Sequence, residues 1–152
     1  MTIEAALTID ERTRKFIHSH RVARLATVDA DGQPAVIPIC YVFEGKRFFS
    51  AIDEKPKTVS WGRLRRLRNI EVNPRVSLLI DDYSEDWSQL GYVLVRGLAE
   101  AIEPGGRYAN DHSKAVDLLR GKYPQYRSMA IDRRLIIRIE VTGVKHWSSG
   151  GD

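Results

Sequence analysis

Short runs of alternating apolar and polar residues recur along the chain and predict a protein built mainly of β-strands. The clearest run spans 135–147, where Ile137, Ile139 and Val141 alternate with charged or polar residues. This two-residue period is typical of a strand with one buried face. Further strands are predicted at about 24–28, 35–43, 47–52, 76–80 and 92–102, which makes six in all.

Three other segments have the spacing of helices, at about 10–20, 56–73 and 108–122. Asp10 is placed to cap the first helix, with Phe16 and Ile17 packing inward. Pro56 and Thr58 are placed to open the second. The order of elements has no βαβ rhythm, so a parallel sheet is not expected.

The connections between the first strands favour local antiparallel pairing. The turn sequence DADGQP at 29–34 predicts a hairpin, and Glu44-Gly45-Lys46 turns the chain into the third strand to give a meander. Pro38 lacks an N–H donor, which marks an edge, a bulge or a place where another group approaches the backbone. We expect a single domain over residues 1–152, folded as a six-stranded antiparallel split β-barrel with short helices.

The composition is that of a globular protein without disulfides. Of the 152 residues, 43% are hydrophobic and 29% are charged, a balance that permits a buried core. Cys40 is the single cysteine, which suits a reducing cytoplasm. No apolar run approaches the ~20 residues that span a bilayer, and residues 1–10 lack a signal-peptide pattern. We therefore expect a cytoplasmic protein with no membrane association.

The sequence lacks the motifs of Rossmann, P-loop, zincin and hydrolase proteins. His18 and His20 are two residues apart on a predicted helix and point to different faces, while His112 and His146 lie far away in the sequence, so no metal site is expected. Cys40 is interpreted as a small buried residue rather than a nucleophile. No catalytic residue stands out.

Positive charge collects where the third strand runs into the second helix. Lys55 and Lys57 follow the strand, and Thr58 falls in or beside the first turn of the predicted helix. Unpaired N–H groups and the helix dipole favour an anion there, and phosphate is the natural ligand. A solvated basic turn is the alternative interpretation.

The same helix is rich in arginine from Arg63 to Arg68, while the net charge of the whole chain is only +4. Such a face could be solvated or could contact nucleic acid. No helix-turn-helix, aromatic RNA-binding motif or basic tail accompanies it, so we expect no nucleic-acid partner.

Taken together, these segments resemble the pyridoxamine 5'-phosphate oxidase-like superfamily of flavin- and deazaflavin-binding split barrels. The resemblance rests on RxATxDxDGxPxxxP at 24–38, FFSAIDEKPK at 48–57, LRNI followed by NPRV at 67–76, and VRG at 95–97. The DEKPKT run and the short chain are most similar to the deazaflavin (coenzyme F420)-dependent oxidoreductase branch.

The resemblance implies a homodimer with two cofactor sites in the crevices between the subunits. The strand segment that matches the ring-binding strand is Ile37, Pro38 and Ile39, whose backbone would line the cofactor ring. The residues that match the phosphate-binding segment are Ser50, Ala51, Lys55, Lys57 and Thr58.

The function that the resemblance implies is hydride transfer from reduced coenzyme F420 to an unidentified small organic acceptor. Arg63, Arg65 and Arg66 could meet the carboxylates of the polyglutamate tail of F420. FMN is the alternative cofactor, and a non-enzymatic flavin or haem carrier or sensor is a third possibility. True pyridoxamine phosphate oxidases have an arginine-rich C-terminal region, whereas this sequence closes with HWSSGGD, which disfavours vitamin B6 oxidation.

Overall fold

Seven antiparallel strands form one curled sheet in the computed structural model of the protein, which describes residues 7–53 and 64–150. The helices are α1 (Glu11–Ser19), α2 (Arg65–Val72) and α3 (Ala109–Lys122). The strands are β1 (Ala23–Val28), β2 (Pro34–Ile39), β3 (Val42–Phe43), β4 (Arg47–Ala51), β5 (Arg75–Asp82), β6 (Gly91–Ile102) and β7 (Ile136–Ser148). Their order across the sheet is β2-β1-β5-β6-β7-β4-β3.

The two edge strands of the sheet are neighbours in the sequence, and this forces the sheet to curl. β2 and β3 lie at opposite ends of the strand order, yet only Cys40 and Tyr41 separate them. A connection of this length spans at most about 11 Å between the flanking Cα atoms. The edges must therefore approach each other, which gives the mainly β, antiparallel split barrel that the sequence predicted. The split lies between β2 and the β3–β4 pair.

The sequence predicted six strands, and the structure has seven. The run 35–43 was expected to form one strand, but it is divided at Cys40 and Tyr41 into β2, which pairs with β1, and β3, which pairs with β4. The β1–β2 hairpin is confirmed. Pro38 lies on an edge strand, which is one of the places that its missing N–H donor indicated.

The predicted meander is confirmed in part: its two turns join β1 to β2 and β3 to β4, but the expectation that every pairing is local is wrong. β1 pairs with β5 as well as with β2, and β4 pairs with β7, where Ser50 lies opposite Ile137. The reason is the crossing at residues 40–41, because it carries the chain away from β2 to the far end of the sheet. There β4 pairs with its sequence neighbour β3 on one side and with the last strand, β7, on the other.

All three predicted helices are found in the described residues, the second of them over its C-terminal part. α1 begins after Asp10, whose carboxylate accepts a hydrogen bond from the Thr13 backbone N–H at 2.8 Å, and α3 ends at Lys122 as expected. The second helix was predicted from Pro56, but α2 begins at Arg65 because Leu64 has an extended backbone. Residues 54–63 lie outside the described part of the chain. No helix in the described ranges is both long and apolar enough to cross a membrane.

Apolar side chains pack on both faces of β4. Phe48 faces the inner core of the curled sheet, together with Leu25, Leu78 and Ile139. Phe49 points the other way into a second core, which α3 covers with residues such as Leu119. β4 is therefore held from both sides, and its C-terminal end is a fixed wall of the split.

Candidate functional site

A cavity of about 150 Å³ lies in the split, where the ends of β2 and β4 face each other. Its lining consists of Val22, Pro38, Ile39, Cys40, Ser50, Ala51, Asp53 and Arg66. Four of the predicted site residues therefore meet in one place: Pro38, Ile39, Ser50 and Ala51. β3 covers β4 only at Phe48 and Phe49, so within the described residues Ser50 and Ala51 have no strand beside them on the split side.

The other predicted site residues are not all brought to this cavity. Ile37 is partly buried, and its side chain packs against the inner core instead. Its expected role used the backbone, and among the described strands β2 pairs only with β1. Backbone groups of β2 on its outer edge therefore face the split, where Pro38 offers an acceptor but no donor. Lys55, Lys57 and Thr58 lie outside the described residues.

Arg66 provides a cationic side chain to the cavity, and the sequence had placed it elsewhere. Arg66 was expected to act together with Arg63 and Arg65 in binding the carboxylates of the F420 polyglutamate tail. Arg65 instead lines a separate cavity of about 390 Å³ with Arg68 and Asp29, since consecutive helix residues point in different directions. Arg63 lies outside the described residues. The sequence signal that could have indicated Arg66 as a cavity residue was its position soon after the segment that matches the phosphate-binding segment of the family.

Asp53 is a second cavity residue that the sequence did not reveal, and it is held from several sides. The phenol of Tyr126 donates a hydrogen bond to the Asp53 carboxylate at 2.7 Å. The Arg134 guanidinium donates to the Asp53 carbonyl oxygen at 3.4 Å, and the N–H of the preceding residue, Ile52, donates to Leu135 at 3.2 Å. These partners lie 73 and 81 residues away from Asp53 in the sequence, so no local sequence pattern predicts the contacts.

The Cys40 thiol lines the cavity but is not activated. Cys40 is half-buried rather than fully buried. Burial raises the pKa of its thiol and outweighs the opposite effect of the neighbouring Tyr126 phenol on that pKa. The thiol is therefore protonated at neutral pH, and it contributes a small, weakly polar surface rather than a nucleophile.

Three of the four histidines have hydrogen-bonding partners away from the cavity. The His20 ring lies 2.6 Å from the carboxylate of Asp82, the His146 ring 2.9 Å from the hydroxyl of Thr13, and the His112 ring 2.7 Å from a backbone carbonyl. Within the described ranges, no cluster of three or more His, Cys, Asp or Glu side chains could hold a metal ion.

The cavity has the chemistry for one end of an anionic cofactor. Arg66 and the Ser50 hydroxyl can hold phosphate oxygens, and the outer edge of β2 can exchange hydrogen bonds with a planar ring. A volume of about 150 Å³ holds a phosphate or part of a ring, but not a whole flavin. A flavin-type cofactor bound here must extend out of the cavity along the split.

Comparison with known proteins gives a family and several relatives. The pyridoxamine 5'-phosphate oxidase family matches residues 9–148 of this chain. The 5a,11a-dehydrotetracycline/5a,11a-dehydrooxytetracycline reductase of Streptomyces rimosus is 31% identical over 98 residues, which is 64% of this chain and 66% of the reductase. The chain thus spans about two thirds of the length of that relative.

Solved structures share the fold at lower identity. The conserved hypothetical protein Rv2991 of Mycobacterium tuberculosis superposes with a TM-score of 0.71 at 21% identity, over 98% of this chain and 91% of its own. An F420 reductase superposes with a TM-score of 0.63 at 22% identity, over 90% of this chain and 98% of the reductase chain. HutZ, the heme storage protein of Vibrio cholerae, superposes with a TM-score of 0.67 at 18% identity, over 91% of this chain and 94% of the HutZ chain.

Proposed function

This chain belongs to the pyridoxamine 5'-phosphate oxidase family, and from that membership we propose that it is an oxidoreductase that binds a flavin-type cofactor in the split between β2 and β4. The observation that carries the proposal is the cavity that joins Pro38 and Ile39 of β2 to Ser50 and Ala51 of β4, with Arg66 beside them. The reductase relative supports the same class of reaction.

Each wall of the cavity has its own part in binding. The backbone of Ile37, Pro38 and Ile39 lies along the cofactor ring. Ser50, Ala51 and Arg66 hold the phosphate. Lys55, Lys57 and Thr58, which are not among the described residues, are proposed to supply its remaining hydrogen bonds. The bound cofactor supplies hydride transfer, so the protein needs to bind, orient and shield it rather than provide an acid–base pair.

Coenzyme F420 is our preferred cofactor, and FMN is the alternative. The F420 reductase shares the fold, and the exposed Arg65 and Arg68 side chains at the start of α2 suit a ligand with several carboxylates. The acceptor is a small organic molecule of unidentified structure. The cytoplasmic location that the single cysteine suggests stays a prediction.

We also propose that the protein is a homodimer. The outer face of the sheet exposes large apolar side chains, among them Val36 (62% exposed), Leu98 (45%) and Trp147 (42%). The pairing register places Val36, Leu79 and Leu98 on the same face of β2, β5 and β6. A second copy of the chain would cover this face and complete the cofactor crevice.

The cofactor proposal is tested by purifying the protein, recording its absorption spectrum and measuring the mass of any bound cofactor. The ligand-free protein is then titrated with F420 and with FMN while cofactor fluorescence is followed. We expect binding of both, with F420 tighter. If the protein binds neither F420 nor FMN, the proposal is overturned. A haem spectrum in its place would favour a carrier like HutZ.

A further inference from the structure

A cavity of about 570 Å³ lies on the outer face of the sheet, and it shares no lining residue with the cavity in the split. The exposed or half-exposed polar side chains of this outer-face cavity are Arg75, Ser77, Arg96 and Thr142. Among the described residues that line it, none carries a carboxylate. Its accessible polar surface therefore consists of guanidinium and hydroxyl groups.

The pairing register of the strands brings three of these side chains together. Ser77 of β5 lies directly opposite Arg96 of β6, and Arg75 lies opposite Leu98. Residues that are directly opposite point to the same face of a sheet, and diagonal neighbours are about 7–8 Å apart. Arg75 and Arg96 are diagonal neighbours, so their long side chains can reach one bound group from two sides.

A bulge in the sheet adds the fourth side chain. The pairing of β6 with β7 shifts register between Arg96 and Gly97, and Thr142 is the extra residue on β7. Glycine is required at position 97, because a Cβ atom there would lie 2.5 Å from the Ile139 side chain and 2.7 Å from the Glu140 carbonyl oxygen. Bulges change the direction of side chains, and here the exposed Thr142 side chain lines the outer-face cavity.

The four polar side chains have no hydrogen-bond or ion-pair partner within the described ranges. Arg24 on the same face differs, because its guanidinium pairs with the Asp81 carboxylate at 3.0 Å. A guanidinium offers only donors, and two of them at one cavity repel each other unless an anion lies between them. The arrangement is therefore complementary to a carboxylate or phosphate group, which accepts hydrogen bonds from both.

The outer face of β2 connects this cavity to the split. Pro34 lines the outer-face cavity and Pro38 lines the cavity in the split, and four residues along a strand span about 13 Å. Val36 lies between them, in a row of directly opposite residues that crosses four adjacent strands and ends at Arg96. Three strand spacings amount to about 14 Å. A small molecule beside a ring on β2 can therefore reach the guanidiniums.

We propose that the outer-face cavity binds the carboxylate or phosphate group of a small organic anion, and that this anion is the acceptor of the hydride. The anion site follows from the four polar side chains alone. The identification of the anion as the acceptor rests on the proposed function. A second copy that covers the outer face would exclude water from the cavity and strengthen the contacts of Arg75 and Arg96 with the anion.

Calorimetric titration of the cofactor-free protein tests the anion site, with pyrophosphate as the phosphate probe and citrate as the carboxylate probe. Wild type should bind at least one of them, and the two titrations show which group the cavity prefers. Arg75→Gln and Arg96→Gln should each weaken that binding about ten- to a hundredfold, the effect of one charge-assisted contact. Melting temperatures should stay close to that of wild type, because both side chains are exposed.

Lys145→Gln is the matched control, because Lys145 is exposed on the same face, opposite Leu94, and does not line the cavity. It should leave the affinity nearly unchanged. The anion site is overturned if wild type binds neither probe, if Arg75→Gln and Arg96→Gln bind like wild type, or if Lys145→Gln loses as much affinity as they do. Loss of the dimer in the ligand-free arginine variants would also overturn it, because the guanidiniums would then pair with carboxylates of the second copy.

Titration of the probe into FMN-saturated wild type tests the identification of the anion as the acceptor. The acceptor must bind beside the cofactor, so the probe affinity should be nearly the same with and without FMN. Displacement of the probe by FMN would overturn this identification, because the outer-face cavity would then hold part of the cofactor. If wild type binds neither F420 nor FMN, the proposed function fails, and the cofactor-free titrations still decide the anion site.

Discussion

Tyr41 and Tyr123 are joined by hydrogen bonds at the point where the chain crosses the split. The Tyr123 phenol oxygen accepts from the Tyr41 N–H at 3.0 Å and lies 2.9 Å from the Tyr41 carbonyl oxygen. The same phenol is 2.8 Å from the carbonyl oxygen of Arg21. One residue at the end of α3 thus ties together the two chain segments that carry the cavity residues Val22 and Cys40.

Tyr123→Phe should destabilise the fold. The change leaves the Tyr41 N–H buried without its phenol partner, which costs about 1–3 kcal/mol of unfolding free energy. Urea unfolding followed by tryptophan fluorescence measures this loss. Tyr83→Phe, at a side chain that is 67% exposed, should stay within about 0.5 kcal/mol of wild type. Equal stability of the two variants would mean that the Tyr123 bonds contribute nothing.

The parts of this fold that could be predicted are encoded in adjacent residues. The DADGQP turn specifies the β1–β2 hairpin, Asp10 caps α1, and the alternation in 135–147 identifies β7. Each depends on the backbone preferences or side-chain hydrogen bonds of a few consecutive residues, so it can be read without knowing the rest of the fold.

The features that the sequence did not predict correctly depend mostly on contacts between residues far apart in the chain. The pairing of β4 with β7 joins residues that lie about ninety positions apart, such as Arg47 and Glu140. The cavity residues Pro38, Ser50 and Ala51 were identified from a family resemblance, whereas the Asp53 side chain is held in the cavity wall by a hydrogen bond from Tyr126, 73 residues away. Helical apolar spacing could not locate the start of α2 either, because Leu64 fits the pattern and is nevertheless extended.

Lys122→Met should change how stability depends on pH. Burial and the nearby Arg21 guanidinium lower the pKa of Lys122 from about 10.5 to about 8. Between these two values the unfolded chain binds more protons than the folded one, so this lysine makes stability rise as pH increases from about 8 to 10.5. Below pH 8 it is charged in both states and its penalty is constant.

Urea midpoints at pH 7, 8, 9 and 10 test this, and the measured quantity is the difference between Lys122→Met and wild type. We expect the variant to gain most over wild type at pH 7 and least at pH 10. Lys145→Met, on the exposed face of β7, controls for loss of one positive charge. A difference that is constant with pH would show that Lys122 titrates alike in both states.

The proposed dimer predicts different outcomes for two equally exposed leucines. Leu79 on the outer face of the sheet and Leu118 on α3 are both 37% exposed. Leu79→Lys should shift the protein toward monomer in sedimentation at micromolar concentration, because it places a charge in the proposed interface. Leu118→Lys should leave the dimer intact. A wild-type protein that sediments as a folded monomer, or a dimer unaffected by Leu79→Lys, would contradict this arrangement.

Arg66→Ala should weaken cofactor binding through the phosphate rather than through the ring. Riboflavin is FMN without its phosphate, so the ratio of their affinities isolates that contact. Loss of one charge-assisted hydrogen bond should weaken FMN binding about ten- to a hundredfold, while riboflavin binding changes little. Lys55→Ala and Lys57→Ala are expected to act in the same way. Arg65→Ala and Arg68→Ala are the matched controls, since both side chains line the other cavity and should leave the ratio unchanged. If Arg66→Ala weakens riboflavin as much as FMN while the melting temperature holds, Arg66 contacts something other than the phosphate.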